Sequence, residues 1–69
     1  MKMTFNNIDK KAAEDIAFRF LSQHHSVSGI ESTTLEDNSW LVIVFVSSPQ
    51  SKKIRVRIDA KSGQVLGWQ

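Results

Sequence analysis

Hydrophobic residues are most concentrated in one stretch of the chain, the run from Trp40 to Val46. β-branched and aromatic side chains dominate it, and these pack well on a pleated sheet but lose rotamer freedom in a helix. Turn-forming residues flank the run on both sides, so the pattern predicts a strand. Because side chains alternate along a strand, even-numbered residues share one face, whereas Leu41, Ile43 and Phe45 share the other. Both faces are hydrophobic, which is typical of a strand inside a sheet.

A helical pattern precedes this strand. Hydrophobic residues recur at intervals of three and four, as on a helix that lies against a sheet: Ala13, Ile16, Ala17, Phe20 and Leu21. Asp9 is the predicted N-cap, because its carboxylate can accept hydrogen bonds from the free amides of the first turn. Asp15 and Arg19 have the spacing of a helical ion pair. Phe18 falls opposite the hydrophobic stripe, so we expect it to be exposed.

The segment between the helix and the hydrophobic run predicts a weaker strand, from Ile30 to Glu36. Asp37-Asn38 can form a two-residue hairpin turn, since both residues tolerate positive φ. Such a turn would place Leu35 opposite Trp40 on the same face of the sheet. The same register turns Glu31 toward the core, so we expect a β-bulge, or a later start, near the beginning of this strand.

The last part of the chain predicts a second hairpin. Residues from Lys53 to Asp59 alternate cleanly between hydrophobic side chains, which would face the core, and basic side chains on the other face. Residues 60–63 read as the hairpin loop, with Gly63 in the left-handed conformation. Ile58 then lies opposite Val65, which predicts that Leu66 and Trp68 point outward.

These elements predict an α+β fold in which one N-terminal helix packs on a four-stranded antiparallel β-meander. Residues 1–69 would form a single domain, and the absence of cysteine excludes disulfides as a source of stability. The net charge of +2 is too small to require a polyanionic partner. We find no hydrophobic segment of the length of a signal peptide or a membrane span, which predicts a cytoplasmic protein with no membrane insertion, unless the chain is a fragment of a longer, secreted one.

The sheet face opposite the helix is the candidate functional surface. On the predicted register it gathers hydrophobic and basic side chains: Leu41, Ile43, Phe45, Leu66, Trp68, Lys53, Arg55 and Arg57. Soluble monomers rarely expose a contiguous hydrophobic patch of this kind. We expect a protein partner to bury it, most simply a second copy of the chain related by a two-fold axis. The alternatives are that the N-terminal segment around Met3 and Phe5 folds over this face, or that the sheet curls.

Other kinds of site have weaker support in the sequence. Basic and aromatic side chains on a sheet can bind nucleic acid, but here the basic residues are few and no RNA-binding motif accompanies them. His24 and His25 are neighbours on a helix and point about 100° apart, so they would not readily share a metal ion. No phosphate-binding loop or nucleophile motif is present. We therefore expect no enzyme activity, no metal and no cofactor.

Three stretches together resemble the PepSY domain family: the helix from Ile8 to Ala17, the strand Trp40-x-Val42-x-Val44, and the closing hairpin from Val56 to Leu66. The hairpin contains the Asp59-x-x-Ser62-Gly63-x-Val65 arrangement that is similar to the one in that family. The resemblance covers nearly the whole chain, and it implies a non-catalytic accessory module. Such domains occur in propeptides of secreted metallopeptidases and in cell-envelope proteins, so the resemblance also implies a peptidase-inhibitory role as an alternative.

Overall fold

The computed structural model describes residues 8–48 and 50–69. Helix α1 (Lys10–Ser22) precedes four strands, β1 (Ser26–Glu36), β2 (Ser39–Ser48), β3 (Lys52–Asp59) and β4 (Val65–Trp68). The strands pair antiparallel in the order of the sequence. This arrangement confirms the predicted α+β fold, with one helix followed by a four-stranded meander.

Helix α1 begins as its sequence predicts but ends at Ser22, so His24 and His25, expected at the end of the helix, lie in the turn after it. The Asp9 carboxylate accepts a hydrogen bond from the amide of Ala12 at 2.8 Å, which satisfies one of the free donors of the first turn. At the other end, the amides of His24 and His25 both donate to the carbonyl of Leu21. Asp15 and Arg19 form the expected ion pair at 3.2 Å, and Phe18 is exposed.

The core lies between α1 and the sheet. Its side chains come from the predicted stripe of the helix and from the even-numbered residues of β2 and β3: Ala13, Ala17, Leu21, Val42, Val44, Val46, Ile54, Val56 and Ile58. Ile16, Phe20 and Trp40 are partly buried against this cluster. The predicted assignment of the two faces of β2 is therefore confirmed.

Two hydrogen bonds attach Ile8, just before the helix, to β2 and to the loop after β3. The amide of Ile8 donates to the carbonyl of Ala60 at 2.6 Å, and the indole N–H of Trp40 donates to the carbonyl of Ile8 at 3.0 Å. Both polar groups of Ile8 are thus paired at the edge of the core, where an unpaired group would be costly. Trp40 therefore contributes a directed hydrogen bond as well as hydrophobic contact.

Both predicted hairpin turns are confirmed. Asp37 and Asn38 have φ angles of 49° and 63°, which suit the tight turn between β1 and β2, and Leu35 lies opposite Trp40. At the second hairpin, Gly63 has a φ of 78°. The amide of Asp59 donates to the carbonyl of Gln64, and this register places Ile58 opposite Val65.

Strand β1 differs from its prediction at its beginning. It starts at Ser26, so the predicted start at Ile30 was four residues late. The polar residues before Ile30 suggested a loop, but their backbone pairs with the end of β2. The predicted bulge is present, since the register shifts between Ile30 and Ser32. Ile30 packs against the core as a result, and Glu31 is exposed.

Strand β4 also contains a shift, which was not predicted. Val65 lies opposite Ile58, yet Gly67 lies opposite Arg57 and Trp68 opposite Val56. One extra residue, Leu66, is accommodated between these pairs, as in a β-bulge. Because a shift of one residue exchanges the two faces of a strand, Trp68 shares the face of the buried Val56. The prediction that Trp68 points away from the helix is wrong.

Candidate protein-binding surface

The sheet face opposite α1, called here the open face, presents three parallel columns of side chains. Strand β2 contributes the hydrophobic column Leu41, Ile43 and Phe45. Strand β3 contributes the basic column Lys53, Arg55 and Arg57, each directly opposite a member of the hydrophobic column. Strand β1 contributes an acidic column, Glu31 and Glu36: Glu36 lies opposite Ser39, and Glu31 occupies the bulge beside the Ser32–Ile43 pair.

The hydrophobic column is only partly accessible. Phe45 is 39% exposed, whereas Leu41 and Ile43 are half-buried. Their neighbours on the same face are long charged side chains, whose aliphatic stems cover hydrophobic surface while the charged ends remain in water. Leu66, in the bulge of β4, extends the hydrophobic surface and is 55% exposed.

An ion pair crosses over the hydrophobic column. Lys53 Nζ lies 3.0 Å from Glu31 Oε1 and 5.7 Å from the centroid of the Phe45 ring. Glu31 and Lys53 belong to the strands on either side of β2, so their side chains meet above it. Both are substantially exposed, and pairs of this kind contribute little to stability. Their effect is to fix the position of two charges beside Phe45.

The two arginines have different surroundings. Arg57 donates a hydrogen bond to the hydroxyl of Ser39 at 3.0 Å, and Ser39 is itself buried. Among the described residues, Arg55 has no carboxylate partner within ion-pair distance. With Leu41, Arg57 and Leu66 it lines a shallow depression of about 320 Å³. Arg55 is therefore the charged group on this face best placed to meet an incoming carboxylate.

Asp59, at the end of β3, forms its hydrogen bonds within its own hairpin. Its carboxylate accepts hydrogen bonds from the hydroxyl of Ser62 at 2.7 Å and from the amide of Ser62 at 2.9 Å. These two bonds, the hydroxyl's first, lower the pKa of Asp59 below its ordinary value of 3.8. The carboxylate is thus ionised but directed toward its own loop.

The structure gathers most of the predicted surface residues on the open face, and it removes one of them. Leu41, Ile43, Phe45, Arg55, Arg57 and Leu66 lie there, together with Lys53. Trp68 does not: its ring lies 6.3 Å from that of Phe20 in an edge-to-face arrangement with an interplanar angle of 64°. Trp68 is still 54% exposed, but its exposed part borders the helix. The role of the open face as a protein interface stays a prediction.

The acidic column was missed by the sequence analysis. Without a bulge, Glu31 would point into the core. A bulge was expected, but the ion pair between Glu31 and Lys53 that the bulge allows was not. The signal was present in the sequence, because a glutamate at an inward position of a strand indicates that the register must change there. Met3 and Phe5, the predicted alternative cover for this face, lie outside the described residues.

A second depression lies on the helix side, beside the end of α1. Phe20, Trp68, His24 and His25 are among its lining residues, and its volume is about 280 Å³. The Nδ1 atom of His25 is buried and has no hydrogen-bond partner in the part of the chain that the structure describes. In that same part, no group of three or more His, Cys, Asp or Glu side chains has an arrangement that could hold a metal ion.

Comparisons of the chain with protein-family models, with curated proteins and with solved structures give no match. The resemblance to PepSY domains therefore stays a prediction. Within residues 8–48 and 50–69, no helix has both the length and the hydrophobicity needed to cross a membrane.

Proposed function

We propose that this chain is a small, non-enzymatic binding module that associates with another protein molecule through its open face, in the simplest case with a second copy of itself. The observation that supports this is the hydrophobic column Leu41, Ile43 and Phe45 with Leu66 beside it, on a face that no other described element covers. Hydrophobic surface bordered by charged side chains is the usual composition of a protein interface, with the charges at the rim.

The shape of the face supports binding over catalysis. The open face of the four-stranded sheet is broad, and its depression beside Arg55 is shallow. Catalytic and small-molecule sites are usually concave, because the reacting groups must be enclosed and kept from water. A broad, shallow face suits a partner with a surface of the same kind, such as a second sheet.

The test is the molar mass in solution. Size-exclusion chromatography with light scattering, over a range of protein concentrations, should show a dimer at the highest concentrations. Phe45→Asp should abolish it, because a carboxylate would then be buried in the contact. Phe18→Asp is the matched control, since Phe18 is an exposed phenylalanine on the opposite side of the molecule (47% exposed), and this variant should dimerise normally. A wild-type protein that stays monomeric throughout would refute self-association.

Two other functions follow from earlier expectations and have their own tests. The peptidase-inhibitory role rests on the resemblance to PepSY domains, and it predicts that the chain slows a metallopeptidase. Nucleic-acid binding is favoured only by the basic column, and it predicts an association with single-stranded RNA or DNA that weakens steeply with salt. The acidic column beside the basic one opposes a polyanion, so we favour a protein partner. A cytoplasmic location is part of the same proposal, and cell fractionation tests it.

A further inference from the structure

The three columns of the open face are complementary to themselves. Acidic side chains lie on one side of the hydrophobic column, on β1, and basic side chains lie on the other side, on β3. A rotation that exchanges the two sides would bring acid onto base while leaving the hydrophobic column over its own copy. A second copy of the chain therefore has the charge pattern that the open face requires of its partner.

A two-fold axis that places one open face on another lies in the plane between the two sheets, and its limiting orientations are parallel and perpendicular to the strands. If the axis is perpendicular to the strands, β3 of one copy lies over β3 of the other, and Lys53, Arg55 and Arg57 oppose like charges. If the axis is parallel to the strands and passes near β2, β1 of one copy lies over β3 of the other. Like charges in direct opposition are unfavourable and opposite charges favourable, so the charges select the parallel axis.

We infer that the open faces of two copies pack against each other about an axis parallel to β2, with Glu31 of each copy paired to Arg55 of the other. This rests on the proposed self-association and adds its geometry. Ser32 and Arg55 flank the same β2 residue, Ile43, so Glu31 and Arg55 lie at nearly the same height along the strands. When the rotation exchanges β1 and β3, Glu31 of one copy therefore lies over Arg55 of the other.

The existing ion pair prepares Glu31 for this contact. Lys53 contacts Oε1 of Glu31 at 3.0 Å and holds the carboxylate above β2, close to where the partner sheet would lie. A carboxylate has two oxygens, and a guanidinium presents several donors in a fixed plane. Glu31 can thus retain Lys53 through one oxygen and accept from Arg55 of the second copy through the other.

The size of the face sets the expected affinity. With the axis near β2, strands β1, β2 and β3 of the two copies overlap, whereas β4 lies beyond the edge of the other sheet. Three strands spaced ~4.8 Å apart and paired over ~8 residues cover on the order of 400 Å². Two such faces would bury about 800 Å², an area typical of weak, transient complexes. We therefore expect a weak, reversible dimer, and sedimentation measurements need protein concentrations well into the micromolar range.

Charge reversal tests the pairing. Glu31→Lys and Arg55→Glu should each raise the dissociation constant of the homodimer by at least about tenfold, because each brings like charges together. An equimolar mixture of the two variants should form a heterodimer close to wild-type affinity, since opposite charges meet again at both copies of the contact. Asp15→Lys and Arg19→Glu are the matched controls: they change the net charge equally on the exposed side of α1 and should leave dimerisation unchanged.

Cysteine cross-linking tests the axis. The chain has no cysteine, so a single introduced thiol reports one contact. Packed sheets lie ~10 Å apart, which is too far for a direct disulfide between facing residues, so the reagent is a short bismaleimide. With the axis parallel to β2, this reagent should link two copies of Leu41→Cys to each other. With the perpendicular axis, residue 41 would lie over residue 45 of the other copy, ~13 Å further along the strand, and Leu41→Cys would cross-link only with Phe45→Cys.

The outcomes separate this inference from the proposal on which it rests. A monomeric wild type overturns both. A wild-type dimer that Phe45→Asp disrupts, but whose charge-reversed variants fail to form a heterodimer or whose Leu41→Cys variant fails to cross-link with itself, overturns the inference and leaves the open face as the contact. Dimerisation, rescue in the mixture and self-cross-linking at residue 41 together support it.

Discussion

At the scale of single residues, Gly63 joins the helix to the last hairpin. Its φ of 78° lies in the left-handed region, which side chains other than glycine adopt at a cost. A Cβ atom built on Gly63 would also lie 3.2 Å from Cδ1 of Ile16, closer than ordinary van der Waals contact. Any other residue at this turn would require Ile16 to shift by a few tenths of an ångström, so the close approach of hairpin and helix favours glycine.

Gly63→Ala should accordingly destabilise the protein by about 1–2 kcal/mol, most of it from the backbone conformation. Urea denaturation followed by circular dichroism measures this. Gly67→Ala is the control, because nothing lies within 4 Å of a Cβ at that position and its φ is not positive. Equal stability of the two variants would contradict the role given to Gly63.

Asp59 allows a prediction of pH dependence. Its pKa is lowered in the folded protein because Ser62 donates two hydrogen bonds to the ionised carboxylate. A group with a lowered folded pKa contributes stability above its unfolded value, here 3.8, and that contribution is lost as the pH falls through the folded pKa. The stability advantage of the wild type over Asp59→Asn should therefore begin to fall as the pH drops below about 4 and should be lost once the pH is below the folded pKa.

A direct measurement is an NMR titration of the Asp59 carboxyl carbon. Ser62→Ala should move the pKa of Asp59 upward toward its ordinary value, since it removes the hydroxyl, which is the largest cause of the shift. Ser51→Ala, in the exposed loop before β3, should leave it unchanged. An identical pKa in the wild type and in Ser62→Ala would be inconsistent with the hydrogen bond.

At the scale of elements, the bulge in β4 brings the end of the chain against the helix. Trp68 lies on the helix side and packs edge-to-face on Phe20. Edge-to-face pairs contribute beyond their buried area, so this contact connects β4 to α1 although few other residues join them. Strand β4 is thus held in two ways: its backbone pairs with β3, and Trp68 contacts Phe20.

Fluorescence can test the position of Trp68. The chain has two tryptophans, and Trp40→Phe leaves Trp68 as the reporter. In that background, Phe20→Ala should shift the emission to longer wavelength, because the indole becomes more hydrated. Phe45→Ala, on the open face, should have no such effect in the monomer. The reverse result would place Trp68 where the sequence alone predicted it.

The elements also show how far the sequence could predict this fold. The two central strands follow strict alternation, so the faces of Val42, Val44, Ile54 and Val56 could be read directly from the pattern. Hairpin chemistry likewise fixed the turns at Asp37-Asn38 and Gly63. Regular periodicity is sufficient where the backbone is regular.

The bulges limited the prediction of the candidate surface. Glu31 signalled its bulge because a buried, unpaired carboxylate is costly, and a change of register was therefore required. In β4, alternation placed the hydrophobic Leu66 and Trp68 outward, and an exposed tryptophan carries no comparable penalty. The packing of Trp68 against Phe20 favours the shifted register, and that contact joins residues far apart in the sequence.

At the scale of the whole molecule, the core is small. A chain of 69 residues has a stability of roughly 3–10 kcal/mol if it follows the usual value per residue. Among the residues that the structure describes, the fully buried side chains of the core are no larger than leucine or isoleucine. Each of these side chains therefore represents a large fraction of the free energy of unfolding.

A matched pair of isoleucines separates the core from the open face. Ile54→Ala should cost about 2–5 kcal/mol, because Ile54 is 1% exposed, and the variant should be close to unfolding at room temperature. Ile43→Ala, at a half-buried position of the open face, should cost clearly less in dilute protein and should weaken dimerisation. Urea denaturation well below the dimer dissociation constant measures the first effect, and light scattering the second. Equal losses would contradict the division into core and surface.

Of the four register shifts in the described strands, three place the extra residue in an outermost strand, at Ser28 and Glu31 of β1 and at Leu66 of β4. The fourth leaves Ser47, near the end of β2, as the extra residue, and the pairing of β2 with β3 is free of shifts. An outer strand with an uninterrupted row of amides and carbonyls is a template on which further chains can add, one after another, without limit. The bulges in β1 and β4 interrupt that row of amides and carbonyls. Association through the open face about a two-fold axis is closed at two molecules. The sheet can therefore bind a second copy without forming a filament.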